Sequence, residues 1–220
     1  MLRQYLSNGP ALPRLELLKL WKGLFYYKPL VQQALANDLG SLIMDMPTDN
    51  AVPFLAAFWE IHCKEWAGLD RHRLDKYYLL FRRVIYFSFQ FLAREEWNEE
   101  LVNAYGTMLL EGPLHPKDRT KPDAIQYHII DLYFEELEKV LDDLRAQLDE
   151  DEEEKDLEVP MEALTRPLTV LSTDAVNKVT RKKAKEAIHA HEEEMKAMKE
   201  DAEDEEEDAE EDDDAMEEDA

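Results

Sequence analysis

Scarcity is informative in this 220-residue chain. It has a single cysteine, Cys63, so no internal disulfide is possible, and a reducing intracellular compartment fits. It has six glycines and none of the glycine-rich loops that cradle phosphates. CxxC, HExxH and GxSxG are absent too, so no familiar metal, redox or nucleophile motif points to an enzyme, a metal or a cofactor. No apolar run approaches the roughly 20 residues of a membrane span. The N-terminus, MLRQYLSNGPALPRLEL, lacks the apolar stretch of a secretory signal. The expectation is a soluble intracellular protein. No segment alternates in the manner of a β-strand. The last 21 residues contain no base at all against 16 acids.

That final absence explains the formal charge of −25. Residues 1–148 hold 17 Lys and Arg against 21 Asp and Glu, so the body of the chain is close to neutral. Residues 1–148 read as a helical core, 149–158 as an acidic linker, 159–198 as C-terminal helices and 199–220 as a disordered acidic tail.

The chain is organised around residues 54–92. Val52, Leu55, Trp59, Ile61, Cys63 and Trp66 recur mostly three or four apart, which lines one helix face. Gly68 is expected to end that helix in a left-handed conformation, and Asp70 to cap the next. The following helix is apolar on two sides. One row is Leu74, Tyr78, Phe81, Ile85, Ser88 and Leu92; the other is Leu80, Val84, Phe87 and Phe91. Only Asp75, Arg82, Arg83, Tyr86 and Gln90 form a polar strip. A helix so enclosed belongs among neighbours, not on a surface.

Around this pair the same periodicity predicts helices from Pro13 to Phe25, from Pro29 to Ser41 or beyond, and over Glu96–Leu110. Others follow from Ile125 to Leu148, over Met161–Leu171 and over Asp174–Met198. Gly112–Pro122 reads as a proline-punctuated loop, ordered in part, with Lys117, Arg119 and Lys121 as a basic edge. Helix pairs without strands point to an all-α fold, a HEAT-like or irregular helical-repeat array of stacked antiparallel helices, with no exact sequence period.

Candidate chemistry is thin. His62 and Cys63 are adjacent, hence about 100° apart on a helix, and cannot share a metal unaided. Ordinary packing accounts for His62, Cys63 and His128, and solvated helix surface for Glu95/Glu96 and Glu135/Glu136. From His62 to Arg94, however, seven bases face three acids. Lys64, Arg71, Arg73, Lys76, Arg82 and Arg83 are candidate contacts to RNA phosphate or an acidic partner, joined by Lys117, Arg119 and Lys121. Salt bridging within the fold is the competing reading. Arg181, Lys182, Lys183 and Lys185 form a second basic cluster, a candidate import signal or RNA contact.

Several long motifs occur in an order that resembles one family. They are LWKGLFY, KPLVQQALANDL, FWEIHCKEW, GLDRHRLDKYYLLFRR and GPLHPKDRTKPDAIQYHIIDLYFEEL. The chain resembles the ribosomal RNA-processing protein 1 family of eukaryotic nucleolar factors, well over Leu12–Leu144 and loosely to Ile188. The resemblance implies a non-enzymatic assembly factor of the precursor large ribosomal subunit, needed for pre-rRNA processing, with no catalytic residues to transfer. It implies a nuclear, nucleolar location and partners among other assembly factors and rRNA. The alternatives are a stand-alone RNA-binding protein and an acidic chaperone-like binder of basic proteins, the latter acting through the tail. One departure stands out: Tyr27 runs straight into Lys28, where the family carries several further residues.

Overall fold

The computed structural model describes residues 14, 15 and 18, 32–69, 74–147 and 158–217. Among these, every regular element is a helix. In chain order they are α1 (Gln32–Gly40), α2 (Thr48–Glu65), α3 (Leu74–Arg94), α4 (Glu99–Glu111), α5 (Asp123–Arg145), α6 (Met161–Asp174) and α7 (Lys178–Glu217). Short 3₁₀ turns, Ser41–Asp45 and Trp66–Gly68, follow α1 and α2.

Local chemistry sets the ends. Prolines stand immediately before α2, α5 and α6, where the lost N–H is not needed, and each of these helices has an acid in its first turn. Asn98 caps α4 by accepting the Leu101 N–H at 3.1 Å. Where α6 turns into α7, the Arg181 guanidinium donates to the carbonyls of Ala175 and Val176, and Asn177 accepts the Val179 N–H.

Packing then alternates along the chain. α1 lies on α3, α3 on α5 and α5 on α7, while α2 lies on α4 and α4 on α6. Odd and even helices thus form two layers, which is how a stacked helical array buries a continuous core. A single apolar cluster runs from Ala36 to Ala184, so α6 and α7 share the core of the earlier helices. Tyr133 of α5 ties the layers by donating to the Leu164 carbonyl of α6 at 2.8 Å. α1 and α3 approach closely at Gly40, where a Cβ would stand 2.9 Å from that of Arg83. Glycine lets α1 sit directly on the backbone of α3.

Several expectations are corrected. Gly68 is not left-handed; among the described residues the positive φ values fall on Glu96 and Trp97, at 54° and 51°. These two residues close α3, with the Trp97 N–H on the Leu92 carbonyl, so α4 begins at Glu99 and not at Glu96. α6 continues to Asp174, and α7 starts at Lys178, leaving Val176 and Val179 exposed. On α3, Phe89 is buried and Phe87 only half-buried, and Trp66 is half-buried in the 3₁₀ turn that follows α2. Trp59, Phe81, Ile85 and Tyr133 are buried as the periodicity requires. The expected helix Pro13–Phe25 lies largely outside the described residues, as do Tyr27-Lys28, Asp70 and the acidic linker apart from Glu158.

The helical trace of α7 extends to Glu217. In its last stretch acids succeed acids three and four residues apart, which opposes a helix. The expectation of an acidic tail without a fold of its own rests on that composition.

Aromatic rings fill the centre of the stack. Phe81 meets Phe58, Trp59, His62 and Trp66 with ring centroids 5.9, 5.2, 5.3 and 5.8 Å apart. His62 is fully enclosed, its Nδ1 2.7 Å from the Phe58 carbonyl, and burial pushes its pKa down to about 4. The unfolded chain protonates this histidine near the ordinary 6.5, and the folded chain only near 4. Unfolding therefore takes up a proton between those values, and stability falls as pH drops through that window. The loss at pH 4.5 is expected to be about 2–3 kcal/mol. Urea midpoints at pH 7 and 4.5 should diverge less in His62→Gln than in the parent; equal divergence would clear His62 of the effect.

Candidate interaction surface

The basic residues part into two groups once the helices stack. Arg82 turns inward between α3 and α5. Its Nη1 donates to Glu136 at 2.7 Å and also to Glu135, and its Nη2 donates to Glu135 at 3.0 Å. Lys139 reaches both carboxylates as well, at 2.7 and 2.8 Å. Glu136 is completely buried, so these cations neutralise a charge inside the body. Hydrogen bonds from Arg82 and then Lys139 hold the Glu135 carboxyl down at about 2. Beside them Tyr86 donates to Asp143 at 2.6 Å. Much of the polar strip foreseen on α3 is thus an internal seam with α5. Arg94 is also committed, donating to the carbonyls of Met44 and Met46 and lying over the Phe91 ring.

Lys64, Lys117, Arg119 and Lys121 behave differently. They line one groove of about 900 Å³ that runs along the helix ends on one side of the stack. Its walls are the C-terminal part of α2, the loop 112–122, the start of α5 and the α6–α7 turn. The loop is fixed. His115 Nδ1 accepts the N–H groups of Lys117 and Asp118, the His115 carbonyl accepts from Gln126, and the Pro116 carbonyl accepts the Val176 N–H. Sequence foresaw a loop ordered in part, with a basic edge. It did not foresee that Lys64, 53 residues before Lys117, lies across from it, nor that Val176 and Asn177 close the groove. No local signal could have found those last two, because they come from a turn joined to the loop only by packing.

The remaining candidates are scattered. Lys76 is half-buried on the first turn of α3, Arg83 is half-buried under Gly40, and Arg71 and Arg73 lie outside the described residues. In the second cluster Arg181 holds the α6–α7 turn, Lys183 pairs with Asp131 at 2.7 Å, and Lys182 pairs with Glu186 at 3.3 Å. Lys185 is exposed. Among the described residues no group of three His, Cys, Asp or Glu side chains is placed to hold a metal. No described helix is long and apolar enough to cross a membrane.

A family model described as nucleolar protein Nop52 matches residues 1–220. The chain belongs to the Nop52 family of nucleolar proteins. It is 39% identical over 150 residues to ribosomal RNA processing protein 1 homolog B of Homo sapiens, covering 63% of this chain and 20% of that protein. Homolog A of Homo sapiens is 40% identical over 131 residues, 57% of this chain and 28% of that protein. The Drosophila melanogaster homolog is 30% identical over 131 residues, 56% of this chain and 19% of that protein. The chain therefore spans between a fifth and three-tenths of the length of its human Nop52-family relatives. Ribosome biogenesis is the setting of the family, and the stacked helices are its architecture in this chain.

Proposed function

We propose that this chain is a non-enzymatic scaffold of the precursor large ribosomal subunit, which holds other assembly factors and rRNA in place while pre-rRNA is processed. The family and the names of its relatives support a role in ribosomal RNA processing. The observation that carries the scaffold reading is the separation of the cations. Arg82 and Arg94 are consumed by the fold, whereas Lys64, Lys117 and Arg119 are exposed on a fixed groove and have no ion pair among the described residues. A rigid body presenting a few free charges suits docking onto neighbours in a particle. A nearly neutral core does not offer the broad basic face of a stand-alone RNA binder. The acidic tail solubilises and attracts basic proteins.

The test is affinity purification of the tagged chain from cells, with identification of co-purifying RNA and protein. Large-subunit precursors and several assembly factors should be recovered together and should dissociate as salt is raised. Recovery of basic proteins alone, held through the tail, would replace the scaffold by an acidic chaperone.

A further inference from the structure

The acids and bases of the groove are not equivalent. Each of its carboxylates already has a partner. Glu60 is paired with Arg14, Asp118 accepts from the Thr120 N–H and hydroxyl, and Asp123 accepts from Asn177. Lys121 is shielded and 4.0 Å from Asp118. Lys64, Lys117 and Arg119 have neither an ion pair nor a side-chain hydrogen bond among the described residues. The groove therefore presents three cations without a direct partner among the described residues, on a lining of four bases and three acids.

Between those cations the surface is mixed, and part of it is apolar. Pro116, Pro122, Trp66 and the exposed Val176 line it, with Cys63 at the base. Burial pushes the Cys63 thiol up to about 11, so the base of the groove stays uncharged. Trp66 is packed against Tyr78 and Phe81, ring centroids 5.5 and 5.8 Å away, so it is held in place as one wall of the groove. The carboxylates of Glu60, Asp118 and Asp123 stand among these cations, so the positive charge is broken into separate points and offers no continuous track for a phosphate chain.

We propose that this groove docks an extended acidic peptide segment of a partner protein, whose carboxylates meet Lys64, Lys117 and Arg119 while an apolar side chain rests against Trp66 and Val176. The loop is already pinned by the bonds of His115, Pro116 and Gln126, so little is lost in ordering it when the peptide binds. The inference rests on the scaffold reading for its biological setting and names the chemistry of one partner.

The experiment uses the full chain, purified, and fluorescence anisotropy with three labelled probes. One is a twelve-residue peptide of Asp and Glu with a central Leu and Phe. The second is the same peptide with Ser in place of both apolar residues. The third is a twelve-nucleotide uridine RNA. The first probe should bind saturably and more tightly than the other two. Reversing Lys117 and Arg119 to Glu should weaken it by about tenfold or more, because charge-assisted contacts are lost. Val176→Asp should weaken it as well. All three residues are exposed, so thermal melting should be unchanged and the loss attributable to the groove. The proposal is overturned if RNA binds more tightly than the peptide, if the serine probe matches the apolar one, or if charge reversal leaves binding intact. None of these outcomes depends on recovering a particle from cells, so failure of the groove and failure of the scaffold reading are distinguishable.

Discussion

Replacing Arg82 by Ala is expected to destabilise the domain by about 3 kcal/mol, at the low end of what stripping a buried charge costs, since Lys139 remains. Glu136 is completely buried, and Arg82 supplies one of its two cationic partners as well as two bonds to Glu135. Without the guanidinium, α5 must hold the buried Glu136 carboxylate with a single lysine, which the exposed Glu135 also shares. Arg82→Glu should be worse, adding a third carboxylate to the seam. Urea unfolding is the measurement, with Lys64→Glu as the comparison, because Lys64 is exposed and has no ion pair among the described residues. Equal stability of Arg82→Ala and the parent would show that the seam is solvated and that Arg82 is available to a partner. The expected result has a practical consequence. Loss of particle association by an Arg82 variant reports unfolding, not a lost contact, whereas Lys117 and Arg119 variants report the surface.

The second large effect is Phe81→Ala, for which about 3–5 kcal/mol is expected. Phe81 has no exposed surface and touches rings from both neighbouring helices, including His128 of α5 at 6.4 Å. Removing it opens a cavity where α2, α3 and α5 meet, and the surrounding rings are too rigid to collapse into it. At this size the melting temperature should fall by roughly 10 °C. Gln90→Ala, in a half-buried position that donates to the Tyr86 hydroxyl, should cost far less. Comparable melting shifts for the two variants would remove Phe81 from the core.

The family and the fold class were legible along the chain, and for a physical reason. Apolar residues three and four apart expose a helix whatever its neighbours are, and proline and asparagine mark ends through their own backbones. Trp59, Phe81, Ile85 and Tyr133 could therefore be placed in the core from spacing alone. Where an element's end depends on packing, spacing misled. Glu96 and Trp97 take left-handed conformations without glycine because Trp97 is buried there, and α4 starts later than its periodicity suggests.

The charges were the least legible feature. In the sequence Arg82 and Lys117 are both bases near other bases, and nothing in their neighbours distinguishes them. Only stacking decides that Arg82 faces two carboxylates 53 and 54 residues away, while Lys117 faces solvent across a groove from Lys64. A residue's own chemistry and spacing determine whether the chain there is helix, turn or tail. Whether its charge is spent inside or offered outside depends on partners distant in sequence, and those are set by which helix lies on which.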